Sequence, residues 1–354
     1  MLVRDATIER RKRSHLDLCA NGDVEHLGKT TLFEEVEFVH DSLSEVDLAE
    51  VDLSTEFLGR RLAAPFLITG MTGGTPDAAA INRDLARLAE KFGIGFGLGS
   101  QRAMLRRPEL AATYSVRREA PTTLVLANLG LNQAAQTATS DIVRLVRVVG
   151  ADALCLHLNP AQELVQKEGD RKFSGGLRAL ARISAELDVP LIVKETGCGI
   201  SAKVGRQLEA AGVRYVDVSG AGGTSWVRVE DLRGDARSHA LGELFRDWGI
   251  PTAASLVQLR ATALVRIASG GIRNSLDAAK ALALGATICG FALPVFRAYR
   301  AGGLDAASAF LEQTIEGLRV AMVLTGSRTL TELRAQPVVL GPRLERWVQK
   351  EARE

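Results

Sequence analysis

The stretch ALCLHLNPAQELVQKEGDRKFSGGLRALARISAELDVPLIVKETG, residues 153–197, decides the fold. It opens on an apolar run, ALCLHLN (153–159), and ends on another, PLIVKE (190–195). Between them GGLRALARISAELD repeats its apolar residues at helical spacing. The two runs are continuously apolar rather than alternating. Strands of that kind are buried on both faces, as in parallel sheets. Each run also stops at polar chemistry, His157 and Asn159 in the first and Lys194 in the second.

The same rhythm extends outward in both directions. Upstream lie PFLITG (65–70), IGFGLG (94–99) and TLVLANLG (123–130). Downstream lie YVDVSG (215–220), LVRIASGG (264–271) and TICGFA (287–292). Helical patterns separate them: DAAAINRDLARLAEKFG, ELAATYSVRREA, SDIVRLVRVVGA and SAKVGRQLEAAG. Eight strands alternating with helices over roughly 250 residues is the count of a (β/α)8 barrel. A doubly wound open sheet is the competing architecture. It fits less well, because polar or Gly residues close nearly every strand at its C-terminal end. A barrel makes that end one continuous rim, whereas an open sheet uses only its switch point.

The predicted fold class is therefore α/β, a TIM barrel with an N-terminal extension and a C-terminal helical tail. The expected division is 1–64 for the extension, 65–330 for the barrel and 331–354 for the tail. Residues 221–239 read as a long, charged, Gly-containing loop, of the kind that forms lids and binding loops.

Composition sets outer bounds. The 354 residues are 46% hydrophobic and 24% charged, ordinary for a globular enzyme. With 44 basic against 42 acidic residues, the net charge of +2 gives no field suited to nucleic acid. The 34 Gly residues suggest tight turns and backbone approaching a ligand closely. Cys19, Cys155, Cys198 and Cys289 form no CxxC pair, as expected of reduced thiols. The start, MLVRDATIERRKRSH, has no apolar signal region, and no apolar run reaches membrane-spanning length. A cytoplasmic protein is expected.

The rim carries the chemistry. Strand one ends in TGMTGGT, whose Gly-rich turn can aim backbone N–H groups at a ligand. Strand two ends in GLGSQR, supplying Ser100, Gln101 and Arg102; a guanidinium there suits a phosphate. Asn128 closes strand three. His157 and Asn159 fall on one side of strand four by alternation, with Gln162 and Glu163 just beyond. A histidine on an apolar strand is commonly a satisfied core group. A carboxylate beside amides can also hold a hard cation such as Mg2+ through oxygen. Zinc is disfavoured, since three His at ligand spacing are absent. Lys194 places a cation in the barrel mouth, where it needs an anion or an electron-rich ring. A pair with Glu195 is disfavoured, since strand neighbours point to opposite faces. SGGIR after strand seven and GFALP after strand eight match the usual barrel phosphate site. Together these features suit FMN, its phosphate at strands seven and eight and its ring across the mouth.

These motifs are similar to those of one known family. RKxxH at Arg11, Lys12 and His15, MTGG at 71–74, GSQR at 99–102, ANLG at 127–130, HLNxxQE at 157–163, KETG at 194–197, SGAGGTSW at 219–226 and SGGIR at 269–273 resemble the type 2 isopentenyl diphosphate isomerases. That family comprises FMN-dependent barrels interconverting isopentenyl and dimethylallyl diphosphate. The resemblance runs in order from residue 8 to about 330. It implies that Met71, Thr72, Gly73, Ser100, Asn128, Lys194, Ser219, Thr224, Gly271, Arg273, Ala292 and Leu293 contact FMN. It implies that Arg11, Lys12, His15, Ser100, Gln101, Arg102, His157 and Gln162 contact the substrate, and that Glu163 binds Mg2+ bridging to the diphosphate. Gln162, His157 and Lys194 are the implied catalytic groups. It further implies reduced flavin N5 as an acid–base group, NAD(P)H as the reductant, and a homo-oligomer, tetramer or octamer.

An FMN-dependent α-hydroxy acid oxidase is the nearest rival. That chemistry needs a His base and an Arg clamp, and SGAGGTSW after strand six contains no His. A relative of inosine monophosphate dehydrogenase would need a loop Cys, which the corresponding loops lack. A redox-sensing flavin barrel would have no use for His157, Gln162 and Glu163.

Overall fold

The computed structural model describes residues 2–351. Eight strands build one closed, all-parallel barrel: β1 (Phe66–Ile68), β2 (Gly95–Gly97), β3 (Val125–Gly130), β4 (Ala153–His157), β5 (Leu191–Lys194), β6 (Tyr215–Asp217), β7 (Val265–Ala268) and β8 (Ile288–Phe291). They pair in chain order, and β8 closes on β1 with Phe291 beside Ile68. All eight expected runs are strands. Most stop short of the predicted C-terminal end, because their glycines and polar residues leave the ladder to form the rim.

Alternation sorts each strand into two sides. Leu67, Leu126, Cys155, Ile192, Ile267 and Ile288 join one apolar cluster inside the barrel. Phe66, Ile68, Phe96, Leu154, Leu156, Val193 and Val216 join the larger core shared with the helices. The inner set is sealed from below by an antiparallel hairpin, Thr55–Phe57 with Arg60–Leu62, whose Phe57 and Leu62 enter the same cluster. Moving two residues along each strand from the inner layer reaches Thr69, Asn128, His157, Lys194, Asp217 and Ser269. The barrel's upper layer is thus polar by strict alternation.

Several segments surround the barrel. The long helix α1 (Leu2–Asn21) precedes it. Val36–Phe38 pairs antiparallel with Val338–Leu340, tying the two ends of the chain together, and Pro342–Glu351 is helical. Helices Pro76–Phe92, Thr139–Val148, Gly176–Glu186 and Ala202–Ala210 follow the expected pattern.

ELAATYSVRREA departs from expectation. It forms only a short 3-10 turn, Pro108–Thr113. Tyr114 leaves the helical path, is fully buried, and donates its hydroxyl to the Ser100 carbonyl at 2.9 Å.

Residues 221–239 are not a long loop. They contain α2 (Trp226–Arg233) and most of the first turns of a second helix, Ala236–Phe245. Ser225 and Asp235 cap the two helices, each such cap contributing about 1 kcal/mol. The charges that suggested a solvated loop are internal pairs. Glu230 binds Arg233, and Asp231 binds Arg228, both carboxylates being buried.

After β8 comes α3 (Leu293–Val323), interrupted at Gly302–Gly303. Its first residue follows Ala292, which offers no side-chain cap. Ala292 and Leu293, at the start of α3, line the barrel mouth.

Candidate active site

One large pocket occupies the C-terminal mouth of the barrel. Its floor is the polar layer, with Thr69, Asn128, His157, Lys194 and Ser269 all lining it. Its roof is α1, where Arg11, His15 and Cys19 recur every fourth residue, with Lys12 and Leu16 beside them. In this single chain, RKxxH lies over its own barrel.

After β7, Gly270 and Gly271 have φ of +90° and +76°. A Cβ at Gly270 would strike the Gly220 carbonyl, and one at Gly271 would strike Thr31. Only glycine lets these loops close, and the result is a cradle of backbone beside the uncapped start of α3. That combination fits a phosphate. Arg273 lies at its edge and is paired with Glu25 through Nε at 2.9 Å and through Nη2.

The opposite side holds a second cationic group. Arg11 and Arg102 both line the pocket, and the Nε of each is buried without a hydrogen-bond partner. Buried guanidinium donors without acceptors are costly unless a ligand completes them. Lys12 donates to the carbonyls of Gly73 and Ser100 and to the Tyr114 hydroxyl, the last at 2.9 Å. Burial, reinforced by the Arg11 charge, pulls the Lys12 ammonium down to about 7.

The Nδ1–H of His157 donates to Asn128 Oδ1, 2.7 Å away. Burial, with the charges of Lys194 and Arg102, pushes its pKa down to about 4, so the ring is neutral near pH 7. Glu163 is 6% exposed. One carboxylate oxygen accepts from Asn159 Nδ2 at 3.1 Å and the other from the Asp170 N–H at 2.7 Å. Among the described residues no cluster of three His, Cys, Asp or Glu could hold a metal ion. A single oriented carboxylate suits a cation that takes its remaining ligands from phosphate oxygens and water, which is the habit of Mg2+.

Two residues that sequence reasoning overlooked organise the pocket. Glu230 of α2 accepts from His15 Nε2 at 2.9 Å and from Gln162 Nε2 at 3.1 Å. It also accepts from Arg233 Nη2 at 2.7 Å. Burial alone would raise its carboxyl; the His15 hydrogen bond and charge, with Arg233 and Gln162, outweigh that and hold it at about 2. Trp226, four residues earlier and on the same helix face, meets the His15 ring edge-on at 5.2 Å. Helix α2 thus docks α1 and aims Gln162. The second overlooked residue is Asp217, 1% exposed, whose Oδ2 lies 3.2 Å from Lys194 Nζ. The anion expected for Lys194 is supplied by the neighbouring strand, where Lys194 and Asp217 are register partners. Lys194 also donates to the Glu195 carbonyl at 2.9 Å.

Two of the expected residues are not among those lining the cavity. Gln101 is fully buried beneath the pocket, its amide oxygen accepting from the Asn128 N–H at 2.9 Å. Its side chain shapes β3 rather than the cavity wall. Gly73 lies outside the lining, its carbonyl turned to Lys12. Met71, Thr72, Ser100, Ser219, Thr224, Gly271, Arg273, Ala292 and Leu293 all line the cavity together with Arg11, Lys12, His15, Arg102, His157, Gln162 and Glu163.

Comparison with known proteins agrees with this geometry. The FMN-dependent dehydrogenase family matches residues 5–159 and 157–340. An isopentenyl-diphosphate delta-isomerase of Methanothermobacter thermautotrophicus is 46% identical over 343 residues, 96% of each chain. Another, of Synechococcus sp., is 46% identical over 96% of this chain and 99% of its own. A third, of Sulfurisphaera tokodaii, is 43% identical over 98% and 95%. The chain belongs to the isopentenyl-diphosphate delta-isomerase family.

Mandelate oxidase structures share the fold. One with (S)-2-phenylpropionate superimposes with a TM-score of 0.65 at 21% identity, over 95% of this chain and 98% of that one. One with (S)-mandelic acid gives 0.64 at 21% identity, over 95% and 98%. That likeness concerns architecture alone. The histidines lining this isomerase-family pocket, His15 and His157, come from α1 and β4. Neither follows β6, where the hydroxy acid oxidase reading would need its base.

Proposed function

We propose that this protein interconverts isopentenyl diphosphate and dimethylallyl diphosphate, with FMN as cofactor and Mg2+ bound through Glu163. The observation that carries the reading is the pair of anion sites in one pocket. The glycine cradle with the α3 N-terminus and Arg273 suits the FMN phosphate. The Arg11, Lys12 and Arg102 group, with unpartnered guanidinium donors, suits a diphosphate.

The reaction adds a proton at one carbon and removes one from another, with no net oxidation. When bound and reduced, FMN supplies an electron-rich ring and a nitrogen able to exchange a proton. The chain's own residues bind and orient. Arg11, Lys12, His15, Ser100, Arg102 and neutral His157 would hold the diphosphate, and Glu163 would hold a Mg2+ that neutralises part of its charge. Gln162 is fixed from both sides, its Nε2 by Glu230 and its Oε1 by Asn159 Nδ2 at 3.1 Å, and so presents one amide face to the substrate's alkene. Lys194, Asn128 and Met71, which line the same cavity, would hold the flavin ring. Helix α1 and Trp226 cover the mouth and limit water, which favours cation-like transition states over their hydrolysis.

Segment 1–64 is read as the extension that supplies the diphosphate contacts, 65–330 as the FMN barrel and 331–354 as its tail. Among the described residues no helix is long and apolar enough to cross a membrane. NAD(P)H as reductant, a cytoplasmic location and assembly as a tetramer or octamer rest on the family resemblance.

The deciding experiment is anaerobic incubation with isopentenyl diphosphate, Mg2+, FMN and a reductant, following dimethylallyl diphosphate. Product that requires reduced flavin and vanishes with EDTA is expected. A flavin-loaded protein that gives no product, or gives it equally well with EDTA, overturns the reading.

A further inference from the structure

Below the pocket floor, Asp217 ties three strand ends together. Its Oδ2 lies 3.2 Å from Lys194 Nζ on β5. Its Oδ1 accepts from the Ser269 hydroxyl, after β7, at 2.6 Å and from the Ser219 N–H, after β6, at 3.2 Å. Lys194, Ser219 and Ser269 all line the cavity, whereas Asp217 does not. Ser219 is one of three non-glycine residues among those described with positive φ, at +35°, a conformation that persists only where surroundings enforce it. The Asp217 carboxylate and the N–H groups of Gly197 and Gly199, which donate to the Ser219 carbonyl at 2.9 and 3.2 Å, supply that enforcement.

We propose that Asp217 is a positioning residue that sets the redox poise of the bound flavin through Lys194. The inference rests on the reading that Lys194 faces the flavin ring. An ammonium beside the ring favours the electron-rich reduced form. A carboxylate 3.2 Å behind that ammonium cancels part of its field. Asp217 therefore keeps the flavin harder to reduce than Lys194 alone would make it, while holding Nζ in place. The buried setting makes the effect large, because neither group is screened by bulk water. Ser269 and the Ser219 N–H spread the carboxylate's charge and so limit the cancellation.

The test is the midpoint potential of the FMN-loaded protein, with the affinities for oxidised and reduced FMN. Asp217→Asn keeps an oxygen acceptor toward Lys194 and removes the charge. It should move the potential to more positive values and tighten reduced FMN relative to oxidised FMN. Lys194→Met should move the potential the opposite way. Ser269→Ala, which leaves the ion pair intact, should concentrate charge on Asp217 and lower the potential slightly; it provides the readout if Asp217→Asn fails to fold, since removing one partner of a buried pair destabilises. An unchanged or lowered potential in Asp217→Asn, with Lys194→Met behaving as expected, overturns the proposal. So does an unchanged or raised potential in Ser269→Ala. An unchanged potential in Lys194→Met shows instead that the flavin does not meet Lys194, and removes the premise.

Discussion

Lys12 is the residue whose chemistry most exposes the site to pH. Its ammonium is buried beside Arg11, and its value is pulled down from the ordinary lysine range to about 7. The sign is set by which form binds an anion. Below about 7 the free enzyme carries the charged form, and above it the neutral amine. The parameter kcat/KM reports ionisations of the free enzyme. It should fall with rising pH above 7, approaching tenfold per unit. Lys12→Arg should remove that limb, since a guanidinium stays charged. Substrate ionisation moves both proteins alike, so the difference between their profiles isolates Lys12. A limb that survives in Lys12→Arg would assign it elsewhere. Glu163 permits a second separation. Its carboxylate is oriented by Asn159 and Asp170. Glu163→Gln should lower Mg2+-dependent turnover tenfold or more, at least about 1.4 kcal/mol of barrier, while FMN affinity measured by fluorescence quenching stays near that of the parent. Equal losses of both would place Glu163 against the flavin.

At the scale of elements, most of what the sequence displayed was periodicity, and the parts it hid were partners. The eight strands were legible because each is buried on both faces and so reads as an apolar run. His157 and Lys194 were legible because polar groups at strand ends interrupt those runs, and Glu163 because it follows His157 and Asn159 within a few positions. Asp217 carries the same signal, an inward position two residues beyond Tyr215, but its meaning depends on the β5–β6 register, which pairs it with Lys194. Glu230 was hidden for another reason. Its segment is rich in charge, and burial by ion pairing within a helix cannot be told from solvation by composition. Gln101 shows the reverse failure: a polar residue in a binding motif that serves the backbone beneath it. The glycine loops were read correctly as close backbone approaches, and Gly271 makes that reading testable. At φ of +76° an Ala costs about 1–2 kcal/mol in backbone terms, and its Cβ would also push against Thr31. Gly271→Ala should therefore lower the stability of the apoprotein by about 1–2 kcal/mol or more and, by shifting the loop, weaken FMN binding as well. Equilibrium dialysis against FMN and urea unfolding of the apoprotein give the two numbers.

The whole molecule separates stability from chemistry along the barrel axis. Mandelate oxidases share this architecture at about one-fifth identity, so the frame alone dictates neither substrate nor reaction. In this protein α1 and α2 are laid over the rim, carrying Arg11, His15 and Glu230. Active sites of such barrels sit at the C-terminal mouth, while the opposite end contributes stability. In this protein the lower end is closed by the 55–62 hairpin. Phe57 is 2% exposed, belongs to the inner apolar cluster, and meets Tyr215 edge-on at 5.9 Å. Tyr215 begins the strand that ends in Asp217, so the plug and the pocket share a strand without sharing a contact surface. Phe57→Ala removes a large buried ring and should destabilise the fold by about 3–4 kcal/mol, which lowers Tm by roughly 4–5 °C in a chain of this size. Well below the transition, FMN affinity and kcat should remain those of the parent, because strand pairing carries β6 to the rim independently of its lower end. A loss of FMN binding at 25 °C in a fully folded Phe57→Ala protein would show instead that the plug sets the height of β6, and with it the position of Asp217 under Lys194.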